Sequence, residues 1–284
     1  MPEPYAVWLD RDVVAATGPE AAAFLQGQLS QDVLALGDGE SAWSWILAPT
    51  GKVDVLVRVT RLSNDDWVLD TDGGWGTALV ARLNRFKLRT KVEIFGRSWL
   101  VLGLRGDPLD EASAGADGGG ESVAVRPPWP GLTGVDLLGP APVVPDGLPL
   151  MAQEDYEAVR IAAGIPKMGA ELTEKTIPAE SGLNDQTVSF TKGCYTGQEL
   201  VARIDSRGGN VPRHLRALIP SDGVEPGTAL IDDEGRAVGT VTSAAISPGG
   251  GWVALGYVGR AVAVPGRLHA GPDRTEVEVR ELPR

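Results

Sequence analysis

Alternating apolar residues between Ser41 and Asp70 limit the folds open to this chain more than any other feature of its sequence. The alternating side chains are Trp43, Trp45, Leu47, Val53, Val55, Val57 and Val59. Turn-forming residues interrupt the pattern at 49–51 and at 63–66. Because neighbouring side chains of a strand point to opposite faces, this spacing predicts half-buried strands joined by turns.

Helices are predicted in three places. A short helix follows the Thr-Gly-Pro-Glu stretch at 17–20 and ends near Gln28, with proline and glutamate at positions that suit a helix start. Apolar spacings of four, four and three predict a second helix over 75–88, and 151–163 predicts a third. Strand and helix signals without regular βαβ alternation favour an α+β fold over a doubly wound parallel sheet.

Further strands are expected over 92–104, near 123–125 and over 134–138. From Val211 onward, short β-like runs alternate with Gly, Pro and Asp turns, which predicts a small all-β closing domain, in the form of a barrel. The stretch 106–120 is rich in Gly, Ala and Asp, and its composition predicts a mobile surface loop.

Charge and cysteine content exclude several functions. The chain has 38 acidic and 26 basic residues, a net charge of −12, so its average surface repels nucleic acid and acidic membranes. One cysteine and two histidines cannot form an internal disulfide, a zinc site or a cluster held by four thiolates. Any iron–sulfur chemistry would therefore assist other proteins or share a cluster between chains.

The N-terminal residues 1–10 lack the basic and apolar regions of a signal peptide, and no apolar run approaches membrane-spanning length,. A cytoplasmic protein with a free thiol is therefore expected.

The sequence also lacks the common nucleotide-binding motifs. Ile46 stands where a P-loop needs glycine, and Gly74-Trp75-Gly76 lacks the third glycine of a dinucleotide fingerprint,. Neither ATP nor NAD binding is predicted.

The segment Lys192-Gly193-Cys194-Tyr195-Thr196-Gly197-Gln198-Glu199 carries the strongest chemical signal. The run 196–204 is compatible with a helix, which would place Cys194 just before a helix N-terminus. The helix dipole and Lys192, two residues away, would both favour a thiolate. These features nominate Cys194 and Lys192 as catalytic residues, while a small buried cysteine is the alternative that composition leaves open.

This octet resembles the signature of the YgfZ family of folate-binding proteins, which is related to the T-protein of the glycine cleavage system. Other matches lie along the chain. The stretch from Gly18 to Asp32-Val33 resembles the family's early Gly…Leu-Gln-Gly-Gln…Asp-Val pattern, and Gly51-Lys52 resembles its turn before a strand. Residues 160–166 resemble its Arg-x-x-x-Gly-x-Pro helix exit. The resemblance covers about residues 5–215 well, and the rest only by its β character.

The resemblance implies an α+β, multi-part fold around a central folate cleft, with a C-terminal β-barrel. Its parts would be a discontinuous folate-binding α/β domain of 1–46 and 131–207, an inserted α+β domain of 47–130, and a barrel of 208–284. It also implies tetrahydrofolate or a one-carbon derivative as cofactor, and a role in making or repairing iron–sulfur proteins that affects tRNA modification. Partners would be folate and iron–sulfur client or assembly proteins, with no direct nucleic acid and no membrane, in a monomer or weak dimer.

Predicted folate contacts lie on the 151–163 helix, before the signature and within it. They are Tyr156, Arg160, Glu180, Asn184, Tyr195, Gln198, Glu199 and Arg203. An aromatic platform and a guanidinium suit a flat pteridine and the carboxylates of folate, and polar side chains suit the pterin's amino and ring nitrogens. Tyr156 also matches a position where the family places a folate-contacting aromatic. The alternatives are a packed tyrosine beside a surface arginine, and turn residues at 180 and 184.

A run without acidic residues is formed by five cations: Arg82, Arg85, Lys87, Arg89 and Lys91. It would guide polyglutamate tails or dock an acidic partner, or it is simply a solvated helix edge.

Three functions are compatible with these features. The first is a folate-binding accessory protein of iron–sulfur assembly or repair that uses Cys194. The second is an aminomethyltransferase of the T-protein type, which the sequence disfavours because Val55 and Leu56 stand where T-proteins carry paired aspartates. Asp54 lies one residue earlier, on the opposite strand face. The third is a folate-stabilised docking module in which Cys194 has no chemistry.

Overall fold

The computed structural model describes residues 3–106, 122–126, 129 and 132–283. Beyond residue 106, the loop predicted over 106–120 lies outside these residues. The described strands are β1 Tyr5–Leu9, β2 Arg11–Thr17, β3 Ser41–Leu47, β4 Val53–Arg61, β5 Asp66–Asp72, β6 Glu93–Arg97, β7 Leu100–Arg105, β8 Val123–Val125, β9 Gly134–Gly139, β10 Arg213–Pro220, β11 Ala229–Ile231, β12 Ala237–Ile246, β13 Trp252–Gly259, β14 Gly266–Ala270 and β15 Thr275–Arg280. The α-helices in the described residues are α1 Ala21–Gln28, α2 Gly76–Lys87, α3 Gln153–Ala162, α4 Asn184–Thr187 and α5 Gln198–Asp205.

These elements confirm the α+β prediction, and α1, α2 and α3 lie within the three stretches predicted to be helical. Contacts divide the chain into two compact units. The first unit comprises Met1–Pro128, Leu132–Met151 and Asp185–Ala202, and the second comprises Trp129–Gly131, Ala152–Asn184 and Arg203–Arg284. The domain borders expected at 46/47, 130/131 and 207/208 stay predictions.

A five-stranded antiparallel sheet of order β3-β4-β5-β2-β6 organises the first unit. Its alternating pattern buries one face against α1 and α2. The core there is formed by side chains such as Leu25, Leu29, Val57, Leu79 and Leu83, all fully buried. Apolar burial of this kind supplies the main favourable free energy of folding.

A four-stranded sheet of order β1-β7-β9-β8 belongs to the same unit. A buried ionic cluster joins it to the five-stranded sheet, with members Arg11, Arg58, Asp70, Arg105 and Asp136. The Arg58 guanidinium lies 2.9 Å from Asp70 Oδ2 and 2.6 Å from Asp136 Oδ2. Arg105 reaches the other Asp136 oxygen at 2.7 Å. Each buried charge therefore has an opposite charge in contact, which burial requires.

The second unit contains a closed barrel of order β10-β13-β12-β11-β14-β15, which confirms the predicted β-barrel after residue 208. Its interior is apolar, with Leu230, Val277 and Val279 fully buried or nearly so. In the described part of the chain, no helix is long and apolar enough to cross a membrane.

Candidate functional site

The signature segment is fixed to the end of α1 within the first unit. The Thr196 N–H donates to Gly27 O at 3.2 Å, and the Ser189 N–H donates to Ser30 O at 3.0 Å. The Ser30 hydroxyl in turn donates to Thr187 O at 2.5 Å. These bonds run between residues far apart in sequence, so they set the path of the chain that carries Cys194.

Lys192 makes the densest set of contacts in this segment. Its ammonium donates to three carbonyl oxygens in and just after the last turn of α1, those of Gln26 at 2.7 Å, Leu29 at 2.7 Å and Gln31 at 2.9 Å. A cation at the C-terminal end of a helix binds carbonyls that have no partner within the helix. Burial lowers the pKa of Lys192 to about 8, so the amine is still mostly protonated at neutral pH.

These contacts give Lys192 a structural role, and the catalytic role predicted for it stays a prediction. Its three donors serve backbone carbonyls, which makes it a residue that holds the segment in place. The neighbouring helix begins at Gln198, two residues later than the predicted run, so Cys194 lies further from the helix end than expected. Cys194 is exposed, which excludes the alternative of a small buried apolar residue.

Two glycines bring the signature segment against the turn between β3 and β4. Gly51 and Gly197 have φ values of 80° and 83°, a region that L-residues with a Cβ avoid,. A Cβ on Gly197 would lie 2.5 Å from Ala48 O and 2.7 Å from Leu47 Cβ. A Cβ on Gly51 would overlap Leu200. The contact therefore needs glycine on both sides.

The strand after this turn shows how the chain differs from the T-protein pattern. Val55 and Leu56 are almost fully buried. Asp54 pairs with Arg82 of α2 at 2.9 Å, and Arg82 also donates to Leu47 O at 2.9 Å. Asp54 is thus engaged in fixing α2 beside the turn.

Residues 26–33 belong to this site, and no role was predicted for them individually. Gln26 accepts the Val33 N–H at 3.0 Å and donates to Asp32 at 2.9 Å, which closes a tight bend after α1. The signal was present in the early Leu-Gln-Gly-Gln…Asp-Val pattern. Residue spacing alone could not show that this bend wraps around Lys192.

Arg160 lies in the second unit and is buried. Its guanidinium donates to both Glu157 oxygens at 2.9 and 2.7 Å, to Ser243 at 3.0 Å, to Glu171 at 3.3 Å and to Ile165 O. An arginine has five N–H donors, and these five bonds use them. This bonding gives Arg160 a structural role, and its predicted contact with a folate stays a prediction.

Glu180 and Asn184 lie close together in the same unit. Glu180, only 3% exposed, belongs to the short 3-10 helix Pro178–Ser181 and accepts the Ile177 N–H and a bond from Arg213, both at 3.2 Å. Asn184 begins α4. Among the described residues, its buried Oδ1 has no hydrogen-bond partner. An unsatisfied buried acceptor is costly unless a donor reaches it.

The remaining predicted contacts differ in exposure. Tyr156, Tyr195 and Gln198 are half-buried, whereas Glu199 and Arg203 are exposed. Burial raises the pKa of Tyr195 to about 12, so its hydroxyl stays protonated. Gln198 Oε1 accepts the Tyr195 N–H at 3.1 Å. Their contacts with a folate stay predictions.

In the described part of the chain, no group of three His, Cys, Asp or Glu side chains could hold a metal ion. Two cavities of about 790 and 500 Å³ border residues 96–99 of the first unit, where β6 ends and the turn to β7 begins. None of the predicted site residues lines either cavity.

Replacing Lys192 with methionine is expected to lower the free energy of unfolding by about 1–3 kcal/mol, because three carbonyls lose a charged donor. Denaturant titration measures the change. Lys52→Met is the matched control, since half-buried Lys52 has no side-chain hydrogen bond or ion pair among the described residues. Equal stability of the two variants would contradict the role given to Lys192.

Comparisons with known proteins agree with this fold and these motifs. The human mitochondrial iron–sulfur cluster assembly factor IBA57 is 30% identical over 255 residues, which cover 81% of this chain and 71% of that protein. The tRNA-modifying protein YgfZ of Vibrio vulnificus is 27% identical over 217 residues, covering 70% of this chain and 64% of that protein. No family model matches the chain.

A solved structure of similar fold is the glycine cleavage system aminomethyltransferase T from Bartonella henselae. It has a TM-score of 0.86 and 22% identity, and the match covers 99% of this chain and 86% of that one. At this identity the likeness establishes the fold. Together with the 30% identity to the human factor over most of both chains, it shows that this chain belongs to the YgfZ/GcvT-like folate-binding family, which includes the IBA57 iron–sulfur cluster assembly factors.

Proposed function

We propose that the protein binds a reduced folate and assists the synthesis or repair of iron–sulfur proteins through Cys194. The observation that carries this proposal is an exposed thiol on a segment held by Lys192, Gly197 and the end of α1. A free surface loop would not need such fixing. The relatives named as an iron–sulfur cluster assembly factor and as a tRNA-modifying protein support the process in which this thiol acts.

Folate fits side chains of the second unit. The pterin presents amino and ring N–H donors, and Asn184 Oδ1 is a buried acceptor that lacks a donor among the described residues,. Glu180 adds a buried carboxylate a few residues away. When bound, reduced folate supplies a carrier for one-carbon units. Asn184 and Glu180 orient its pterin, and Arg160 holds the wall of the unit through Glu171 and Ser243.

Cys194 has a separate task in this proposal. Its exposure lets a partner protein reach it, and the fixed backbone on both sides presents the thiol in one orientation. The thiol meets an iron, sulfur or thiol species that the partner delivers. A single cysteine cannot build a cluster site within one chain, so the proposed role is assistance.

Replacing Asn184 with alanine is expected to weaken tetrahydrofolate binding by about tenfold, since one hydrogen bond to a buried group is lost. Calorimetric titration with tetrahydrofolate and its 5-formyl and 5,10-methylene forms measures it. Asn210→Ala is the control, at an exposed asparagine of the same unit. Failure of the wild-type protein to bind any folate would remove the folate part of the proposal.

The Cys194→Ser variant distinguishes the proposed accessory function, which uses the thiol, from that of a docking module, which does not. The variant should bind folate like the wild type but fail to restore iron–sulfur enzyme activities in cells that lack the gene. Full restoration would favour the docking module. Circular dichroism of the purified variant confirms that it is folded.

The aminomethyltransferase alternative keeps one supporting observation, the fold shared with the Bartonella henselae enzyme. The pairing of Asp54 with Arg82 and the burial of Val55 and Leu56 leave the strand without a free general base at the T-protein position. Transfer of a methylene unit from an aminomethylated carrier protein to tetrahydrofolate would decide for this alternative.

A further inference from the structure

The turn that follows α2 holds a leucine in a conformation suited to glycine. Leu88 has φ 47° and ψ −115°, near the +60° and −120° of the first central residue of a type II′ turn, roughly the mirror image of type II. The Thr90 N–H donates to Lys87 O at 2.9 Å, which closes the turn. Non-glycine residues rarely adopt such angles, so this backbone is strained.

Packing does not compensate for this strain. The Leu88 side chain is 89% exposed, the largest value among the exposed large apolar residues that the structure describes. The turn is nevertheless held on its C-terminal side, because the Glu20 carboxylate accepts the Lys91 N–H at 2.5 Å and Lys91 O accepts the Glu20 N–H at 3.3 Å. Leu88 is thus presented to solvent from a fixed backbone at an energetic cost.

Unpaired cations surround it. Arg85, Arg89 and Lys91 are exposed and Lys87 is half-buried, and none of the four has an ion pair among the described residues. Two acidic residues lie nearby: Glu20, which accepts the Lys91 backbone N–H, and Glu93, two residues after Lys91 in the sequence. In a chain with a net charge of −12, this basic turn, defined as residues 85–91, differs in sign from the average surface.

We propose that the basic turn is a docking surface for an acidic segment of a partner protein, with an apolar side chain of that segment packed on Leu88. The cations provide charge complementarity, which speeds and orients association. Leu88 selects a protein partner, since single-stranded nucleic acids stack on aromatic rather than aliphatic side chains. The net negative charge of the chain also opposes a polyanionic nucleic acid.

Fluorescence anisotropy of labelled probes tests this surface on the intact protein. One peptide alternates glutamate and leucine, a second contains only glutamate, and the third probe is a single-stranded RNA of matched length. Leu88→Gly should weaken binding of the mixed peptide on the order of tenfold. The thermal midpoint of unfolding should stay equal or rise, because glycine suits the turn. The control Ile246→Ser, at an exposed apolar barrel residue, should change neither the peptide affinity nor the thermal midpoint.

The double change Arg85→Glu and Arg89→Glu should also weaken binding of the mixed peptide and reduce the salt dependence of that binding. The proposal would be overturned if the mixed peptide did not bind, or if Leu88→Gly bound it as tightly as the wild type does. It would also be overturned if the all-glutamate peptide bound as tightly as the mixed peptide, or if the RNA bound more tightly than the mixed peptide. A fall in thermal midpoint for Leu88→Gly would likewise contradict the strained turn.

Discussion

Replacing Asp136 with alanine is expected to lower the free energy of unfolding of the first unit by about 3–5 kcal/mol. Asp136 is 3% exposed and lies against the guanidinium groups of both Arg58 and Arg105. Without it, two buried cations lose a carboxylate in contact with them. Breaking a buried ion pair is costly because it leaves an uncompensated charge in the interior.

Asp38→Ala provides the control in the same unit. Asp38 pairs with Arg61 at 2.8 Å, but its side chain is 65% exposed, and such pairs contribute less than about 1 kcal/mol. Both variants are compared with the wild type by denaturant titration. A loss for Asp136→Ala no larger than that for Asp38→Ala would contradict the importance of the buried cluster.

The same cluster predicts acid sensitivity. Arg105 and Arg58 hold the pKa of Asp136 below its ordinary value of 3.8, against the opposing effect of burial. A lowered folded-state pKa contributes stability above the unfolded pKa, and this stability is lost as the pH falls through the folded value. The stability difference between wild type and Asp136→Asn should therefore shrink as the pH falls below about 4.

Replacing Gly197 with alanine is expected to cost about 2–4 kcal/mol and to free the signature segment from the β3–β4 turn. A φ of 83° alone disfavours a residue with a Cβ by about 1–2 kcal/mol. The added methyl group must also displace Ala48 O and Leu47 Cβ, at 2.5 and 2.7 Å. Denaturant titration measures the loss of stability, and a changed alkylation rate of Cys194 shows that the signature segment is no longer fixed.

Gly193→Ala is the matched control from the same segment. No heavy atom lies within 4 Å of a Cβ placed there, and its φ is outside the left-handed region. Stability and alkylation rate should stay near the wild-type values. If Gly193→Ala and Gly197→Ala behaved alike, the close approach of Gly197 to the turn would not be what fixes the segment.

Local patterns were sufficient to predict much of the fold. The alternation from Trp43 to Val59 predicted β3 and β4, because burial on one face of a strand requires period two. The spacing of Leu79 and Leu83 predicted α2, because burial on one face of a helix requires apolar residues at the helical period. Local patterns could not predict which strands pair, since the order β3-β4-β5-β2-β6 depends on contacts between residues far apart in sequence.

The candidate site shows the same division. The octet around Cys194 was recognisable from the sequence because its residue types and order are local properties. Glu180 and Asn184 were chosen in the same way, and their contacts with a folate stay predictions. The structural role of Lys192 was not recognisable, since its three carbonyl partners come from residues 26–31. The sequence also could not show that the Arg160 donors bond to Glu157, Glu171, Ser243 and Ile165.

By itself, the sequence determined the fold class, the family resemblance and the residues with chemical potential, because these follow from periodicity, composition and motif order. Only the tertiary structure decided which polar groups are already satisfied and which are left for a ligand or partner. Hydrogen bonds and ion pairs form between residues that folding brings together. For that reason the structural role of Lys192, the free acceptor of Asn184 and the exposed, strained Leu88 became visible only in three dimensions.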